Sequence, residues 1–229
     1  MSSVSPENPG RWAMYIDGFN FYYAVKHRPK DIPLYLGWCD FGRLGDLIVG
    51  ARGRLLQIGY FTASVESLGA AEGELGGEAA RQATWLKAVG SIKRLTIVRG
   101  FHSRERPRDS REGEKKRTEK QTDVNIAVAL VRDAALARYD SAILVTSDSD
   151  QIPAVRSATK DFGRSVEVWL PPGQAPGRWS ECQPIRRIQV SSITKQMLDM
   201  SRLPETIRIG QDLVEAPPSW RSPSGAQAT

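Results

Sequence analysis

Two short apolar segments, residues 13–16 and 142–146, are each followed at once by polar side chains that could bind a cation. These side chains are Asp17, Asn20, Ser147, Asp148 and Asp150. If both segments are parallel strands of one sheet, their carboxyl ends share an edge, and such folds bind ligands there. Aspartate and asparagine also begin turns and cap helices, so each residue taken alone has a structural explanation as well.

Asp123 is a further candidate, near the start of a helix that a capping-box pattern predicts over 119–138. At ~100° per residue, Asp123 falls on the same side as Leu130 and Ala134, the side expected to face the sheet. A carboxylate there is costly unless it is paired or bound to a cation. Lys120 lies one turn earlier, so a buried Lys120–Asp123 ion pair is the structural alternative to a metal site.

Carboxylates that converge at one strand edge repel each other at neutral pH, and a hard divalent cation relieves that repulsion. The candidate group contains no histidine or cysteine, so Mg²⁺ or Mn²⁺ is the chemically suitable ion. A cation held there could activate water and neutralise charge that develops on a phosphodiester.

The chain has 32 Lys and Arg against 26 Asp and Glu, a net charge of +6, which favours a polyanionic partner such as nucleic acid. Residues 102–120 contain eight Lys or Arg and five Asp or Glu. The candidate phosphate contacts are Lys115, Lys116, Arg117 and Lys120. A solvated loop of mixed charge explains the stretch equally well, because its acids dilute the positive field.

Phe19, Tyr22 and Tyr23 follow the first predicted strand and could stack on the bases of a single strand. Aromatic residues after a first strand more often join the core, so we do not expect all three to be exposed.

Several other classes of protein are disfavoured. Two cysteines and two histidines are too few for a disulfide framework or a four-thiolate zinc site, and no P-loop, G-x-G-x-x-G or G-x-S-x-G pattern is found. No apolar run approaches the ~18–20 residues of a membrane span, and the first ten residues lack a secretory apolar stretch. We therefore expect a soluble, cytoplasmic protein with no membrane partner.

Short apolar strands alternate with helical segments along the chain, which predicts an α/β fold with a mainly parallel sheet covered on both faces. About five strands are expected, at 13–16, 55–62, 95–101, 142–146 and 166–170. Residues 1–11 are expected to be disordered, residues 66–77 to form a Gly-rich loop, and the Pro/Ser-rich tail after about 216 to be disordered with no core to join.

Four segments, and their order, resemble the bacterial NYN domains, in the LabA-like branch of the PIN-like ribonuclease superfamily. They are YIDGFNFYY at 15–23, EKQTDVNIAVALV at 119–131, YDSAILVTSDSDQIPAV at 139–155 and FGRSVEVWLP at 162–171. The similarity extends through 191–204, so it covers residues 12–204 and leaves a C-terminal extension at 205–229.

The resemblance implies a three-layer Rossmann-like (PIN-like) domain in which carboxylates bind Mg²⁺ or Mn²⁺ and support endonucleolytic cleavage of RNA. The family's motif positions match Asp17, Asn20, Asp123, Ser147, Asp148 and Asp150, and each acidic position is filled here. The four aspartates would hold the metal, and Asn20 and Ser147 would orient ligands or the attacking water.

The resulting hypothesis is a metal-dependent endoribonuclease that hydrolyses single-stranded RNA. The main alternative is a non-catalytic RNA-binding or regulatory protein that retains the acidic pocket. A phosphohydrolase of the haloacid-dehalogenase type is disfavoured, because its Asp-x-Asp motif follows the first strand whereas Asp148-Ser149-Asp150 follows the fourth. DNA stays open as a substrate because nothing in the sequence reads a 2′-hydroxyl, and a homo-oligomer is possible.

Overall fold

A computed structural model describes residues 9–27, 32–63, 76–104 and 117–223. The strands of its central sheet are β1 (Gly10–Asp17), β2 (Gly53–Ala63), β3 (Leu95–Arg104), β4 (Arg117–Lys120), β5 (Ser141–Val145), β6 (Ser165–Leu170) and β7 (Ile188–Ser192). They have the order β4-β3-β2-β1-β5-β6-β7 in the sheet, and every neighbouring pair is parallel except β3 and β4.

Helices cover both faces of this sheet, as expected for a three-layer α/β fold. They are α1 (Gly18–Lys26), α2 (Phe41–Val49), α3 (Gly76–Gly90), α4 (Thr122–Ala135), α5 (Ile152–Lys160) and α6 (Lys195–Met200). Alternate residues of β1 enter separate cores: Met14 and Ile16 join the core of α1, α2 and α3, while Ala13 and Tyr15 join that of α4 and α5. This burial on both faces explains why β1 is an uninterrupted apolar run.

The predicted fold class is confirmed, with more strands than the expected five. Two strands were not predicted from the sequence: β7, in which only Ile188 is buried, and β4, a charged strand at the sheet edge. Since β4 extends to Lys120 and Gln121 adopts a positive φ of 79°, α4 begins at Thr122 and not at Glu119. Strand pairing with β3 therefore overrides the capping-box signal.

Both chain ends of the described region are more ordered than expected. Gly10 and Arg11 pair with β2, and after the hairpin of β8 (Thr206–Ile209) and β9 (Asp212–Glu215) the tail returns to the core. Trp220 is only 7% exposed and lies against Tyr22, Trp38 and Trp85 with ring centroids 5.4–6.2 Å apart. The tail thus differs from the expected disorder after about 216 because one large aromatic residue anchors it; residues 224–229 lie outside the described region.

Asp133 attaches α4 to the sheet. Its buried carboxylate accepts hydrogen bonds from the Tyr15 hydroxyl at 2.9 Å and the Gln57 amide at 2.8 Å, and it forms ion pairs with Arg132 and Arg138. Burial alone would raise the pKa of this carboxyl, but the hydrogen bonds from Tyr15 and Arg132 outweigh that effect and lower its pKa. The contacts hold in place the helix that carries Asp123. No helix in the described ranges is long and apolar enough to cross a membrane.

Replacing Trp220 by Ala should lower the free energy of unfolding by about 3 kcal/mol, because it removes a large buried side chain. Leu213→Ala, at a position 57% exposed on β9, is the matched control and should cost less than about 0.5 kcal/mol. Urea unfolding measures both changes. Equal losses in the two variants would show that the tail does not contribute to the core.

Asp133→Asn should cost about 1–3 kcal/mol at neutral pH, because the amide cannot accept from all of the donors around it. The folded-state pKa of Asp133 is lowered, so the stability it supplies is present above its unfolded pKa and is lost as the pH falls through the folded value. The deficit of the variant should therefore shrink below about pH 4. Urea unfolding at several pH values tests this, and a deficit independent of pH would contradict it.

Candidate functional site

The topology of the sheet reverses at β1. From β1 the chain moves outward through β2 to β3, and later returns to place β5 on the other side of β1. Such a switch point leaves a crevice beyond the carboxyl ends of the two strands. Ile16 pairs with Val145, so the residues that follow β1 and β5 emerge side by side at this edge.

Asp17 ends β1 and is 4% exposed. One carboxylate oxygen accepts from the Asn20 N–H at 2.9 Å and caps α1, and the other accepts from the Thr146 hydroxyl at 3.1 Å. The next residue is glycine because a Cβ at Gly18 would lie 2.7 Å from the Phe61 carbonyl oxygen. Asp17 therefore has the structural capping role and also a fixed orientation at the crevice.

Asn20 and Ser147 join the two segments that follow the strands. The side-chain oxygen of Asn20 accepts from the Ser147 backbone N–H at 2.8 Å and from its hydroxyl at 3.0 Å. Thr146 accepts from the Asp148 N–H at 3.0 Å, and Asp148 in turn accepts from the Asp150 N–H at 2.9 Å. These bonds set the path of the Ser147–Asp150 segment relative to α1.

Asp123 lies in the first turn of α4 and reaches the same edge. Its backbone carbonyl accepts from the Gln151 amide at 3.0 Å, which fixes the start of α4 beside the Asp148–Asp150 turn. Asp123 is an exposed residue and does not lie under the sheet as expected, because the first turn of α4 is at the cleft beyond the strand ends. The pKa of Asp123 is raised, first by partial burial and then by the negative charges of Asp148 and Asp150. Three carboxylates are thus close enough to repel each other.

A cleft of about 400 Å³ opens between α1, α4 and the segment after β5. Its lining residues are Asp17, Phe19, Asn20, Tyr23, Ala24, His27, Asp123, Ser147 and Gln174. The cleft therefore brings together four of the six predicted site residues, and Asp148 and Asp150 adjoin it through their interaction with Asp123.

The donors of this cleft fit a hard divalent cation. They are carboxylate, amide and hydroxyl oxygens, the ligands that Mg²⁺ and Mn²⁺ prefer, and the mutual repulsion of the carboxylates is what a cation would relieve. Within the described residues, no three acidic, histidine or cysteine side chains are grouped closely enough to enclose a bare ion. The arrangement suits a hydrated cation, since Mg²⁺ commonly keeps several waters and contacts few carboxylates.

The predicted phosphate contacts are only partly described. Lys115 and Lys116 lie outside the described residues, and for Arg117 and Lys120 the structure describes the backbone alone. Across the sheet, Asp17 at the end of β1 pairs with Phe61 of β2, and Phe61 pairs with Val98 of β3. The edge strand β4 pairs with residues 101–104 of β3, which come after Val98. The β3–β4 pair consequently extends past the strand edge at which the cleft opens.

Comparison with known proteins places the chain in a family. The NYN domain profile matches residues 11–183, a span that contains all six predicted site residues. The chain belongs to the NYN domain family. This membership indicates a nuclease-type function and is consistent with placement among the PIN-like ribonucleases.

A protein of known name and a solved structure are also similar to parts of this NYN domain protein. The chain is 30% identical over 194 residues to the 6-hydroxy-3-succinoylpyridine 3-monooxygenase HspA of Pseudomonas putida, covering 71% of this chain and 60% of that protein. The crystal structure of a protein of unknown function from Vibrio parahaemolyticus superposes with a TM-score of 0.49 and 15% identity, covering 83% of this chain and 97% of that one.

Several residues of the site in this NYN domain were not predicted from the sequence. Thr146 bonds both Asp17 and Asp148, and its signal was a hydroxyl at the end of an otherwise apolar strand. Gln174 comes from the segment after β6, and His27 from the end of α1; neither has a local pattern that marks it.

Asp123→Asn should weaken Mn²⁺ binding by at least ~10-fold, because it removes one of the charges that attract the ion. The raised pKa means that charged Asp123 lowers stability at neutral pH, so the cation-free variant should melt at the same or a higher temperature than wild type. Melting temperatures measured without Mn²⁺ and at increasing Mn²⁺ concentrations report both effects. Asp161→Asn, on the exposed segment before β6 at the opposite edge, is the control. If Mn²⁺ raises the melting temperature of Asp123→Asn as much as that of wild type, a cation site at Asp123 is contradicted.

Proposed function

We propose that this protein is an endoribonuclease that hydrolyses phosphodiester bonds of single-stranded RNA and depends on Mg²⁺ or Mn²⁺. The observation that carries the proposal is the convergence of Asp17, Asp123 and Asn20 on one cleft at the topological switch point, with Asp148 and Asp150 close enough to interact electrostatically with Asp123. Excess negative charge at such a crevice is costly for a protein that binds no cation, and membership of the NYN family agrees with nuclease chemistry.

Each residue has a role in this mechanism. Asp17, Asp123, Asp148 and Asp150 hold the cation, directly or through water, and the cation when bound supplies Lewis acidity and an activated water. Asn20 and Ser147 keep the segments after β1 and β5 in register and orient the carboxylates between them. In the hydrolysis, a water oxygen would form a bond to phosphorus and the water would lose one proton to solvent, while the bond to the leaving ribose oxygen would break and that oxygen would take up a proton.

The basic residues supply affinity for the phosphate backbone. The predicted contacts in β4 are Arg117 and Lys120, and Lys115 and Lys116 come just before this strand in the sequence. The β3–β4 pair extends past the edge at which the cleft opens. Contacts of this kind release counterions, so binding should weaken as salt rises.

The Pseudomonas relative is named as a monooxygenase, and the present chain spans about 60% of its length. The carboxylate, amide and hydroxyl groups of the cleft favour phosphodiester hydrolysis instead. The non-catalytic alternative, an RNA-binding protein that retains the acidic pocket, differs from the proposal in a single measurable property, which is product formation.

The deciding experiment incubates a circular single-stranded RNA with the protein and Mn²⁺ or Mg²⁺, since a circle is opened only by internal cleavage. Asp148→Asn and Asp123→Asn should each slow opening at least ~100-fold, because each weakens charge stabilisation at the reacting phosphate. EDTA should stop the reaction, and the control Asp161→Asn should cleave like wild type. Cleavage by Asp148→Asn at the wild-type rate would refute the mechanism, and RNA binding without product would favour the non-catalytic alternative.

A further inference from the structure

One face of α1 carries three aromatic rings at intervals of four residues. Phe19, Tyr23 and His27 stack in sequence, with ring centroids 6.2 Å and 5.9 Å apart and planes inclined by 19° and 11°. Residues four apart lie above one another on a helix, so the rings form a ladder along its axis. All three line the same cleft as Asp17 and Asp123.

The ladder is not part of the core. Phe21 and Val25, on the opposite face of α1, are buried, and Tyr22 stacks on Trp220 at 6.1 Å. Tyr23 by contrast is 48% exposed and His27 is exposed as well. Of the three aromatic residues considered in the sequence, Tyr22 is therefore largely engaged by the core, while Phe19 and Tyr23 face the cleft.

We propose that Phe19, Tyr23 and His27 form a base-stacking subsite for the RNA strand that enters the cleft, an inference that rests on the proposed function. Aromatic side chains that track a strand are a general way to bind single-stranded nucleic acid, because every base offers a flat face. The ring spacing of about 6 Å is nearly twice the ~3.4 Å repeat of stacked bases. The ladder therefore suits an extended strand with unstacked bases and does not suit a duplex.

The position of the ladder sets the direction of the strand's path. Phe19 adjoins Asp17 and Asn20, and the rings then lead away from the carboxylates to His27 at the end of α1. The Lys26 ammonium lies 5.9 Å from the Tyr23 ring centroid, where it can approach a phosphate next to a stacked base. The reacting phosphate thus lies at the acidic end of the cleft and the flanking bases lie on the rings.

The test measures binding of a fluorescent single-stranded RNA oligonucleotide by anisotropy in EDTA, where no hydrolysis is expected. A second oligonucleotide has the same backbone with abasic sites in its central positions. Wild type should bind the natural strand about 10-fold more tightly than the abasic one. Tyr23→Ala and His27→Ala should remove most of this difference, whereas Tyr23→Phe keeps the ring and should preserve it.

Val128→Ala, at a position 57% exposed on α4, is the control for loss of an exposed apolar group and should behave like wild type. The subsite is refuted if wild type does not distinguish the two strands, or if Tyr23→Ala and His27→Ala both retain the full preference. The circular-RNA assay decides the proposed function separately. Cleavage that requires Asp148 without a base preference would overturn only the ladder, and a Tyr23-dependent preference without cleavage would overturn only the nuclease.

Discussion

The hydrogen bonds that connect the ends of β1 and β5 are the interactions on which the site depends. The Thr146 hydroxyl donates a hydrogen bond to Asp17, and the Ser147 N–H donates one to Asn20. These bonds connect the segments that follow β1 and β5 at the point where each leaves the sheet. Parallel pairing of Ile16 with Val145 brings these groups level. The same bonds that satisfy buried polar atoms therefore also orient carboxylates at the mouth of the crevice.

Structural and chemical roles coincide in these residues. Asp17 caps α1 and Asp148 caps the following turn, which is the ordinary use of aspartate after a strand. Each cap fixes the direction in which a carboxylate points at the strand edge. The capping explanation and the metal-site explanation, which were alternatives in the sequence, are thus compatible in one geometry.

Two aspartates of α4 show how environment separates stability from a site. Asp133 is buried, and the hydrogen bonds from Tyr15, Arg132 and Gln57 outweigh the effect of burial and lower its pKa, so that it anchors the helix to the sheet. Asp123, three turns earlier, is partly buried beside like charges, and burial and these charges both raise its pKa. The charge of Asp133 is neutralised by groups of the protein itself. The charges around Asp123 repel one another, and a cation or another positive group would relieve that repulsion. The anchor at one end of the helix thus holds Asp123 in position at the other.

The sequence by itself determined the fold class and located the five central strands along the chain, because buried parallel strands are continuous apolar runs. Through the resemblance to a family, the sequence also predicted Asp17, Asn20, Asp123, Ser147, Asp148 and Asp150 as one set of site residues, and the structure decided how they lie relative to one another. The start of α4, the charged edge strand β4 and the anchoring of the tail by Trp220 were decided by the tertiary structure. Each depends on a partner distant in sequence: β3 for β4, and Trp38 and Trp85 for Trp220. The aromatic ladder also needed the tertiary structure, because only packing shows that Tyr22 turns to the core while Tyr23 and His27 remain at the cleft.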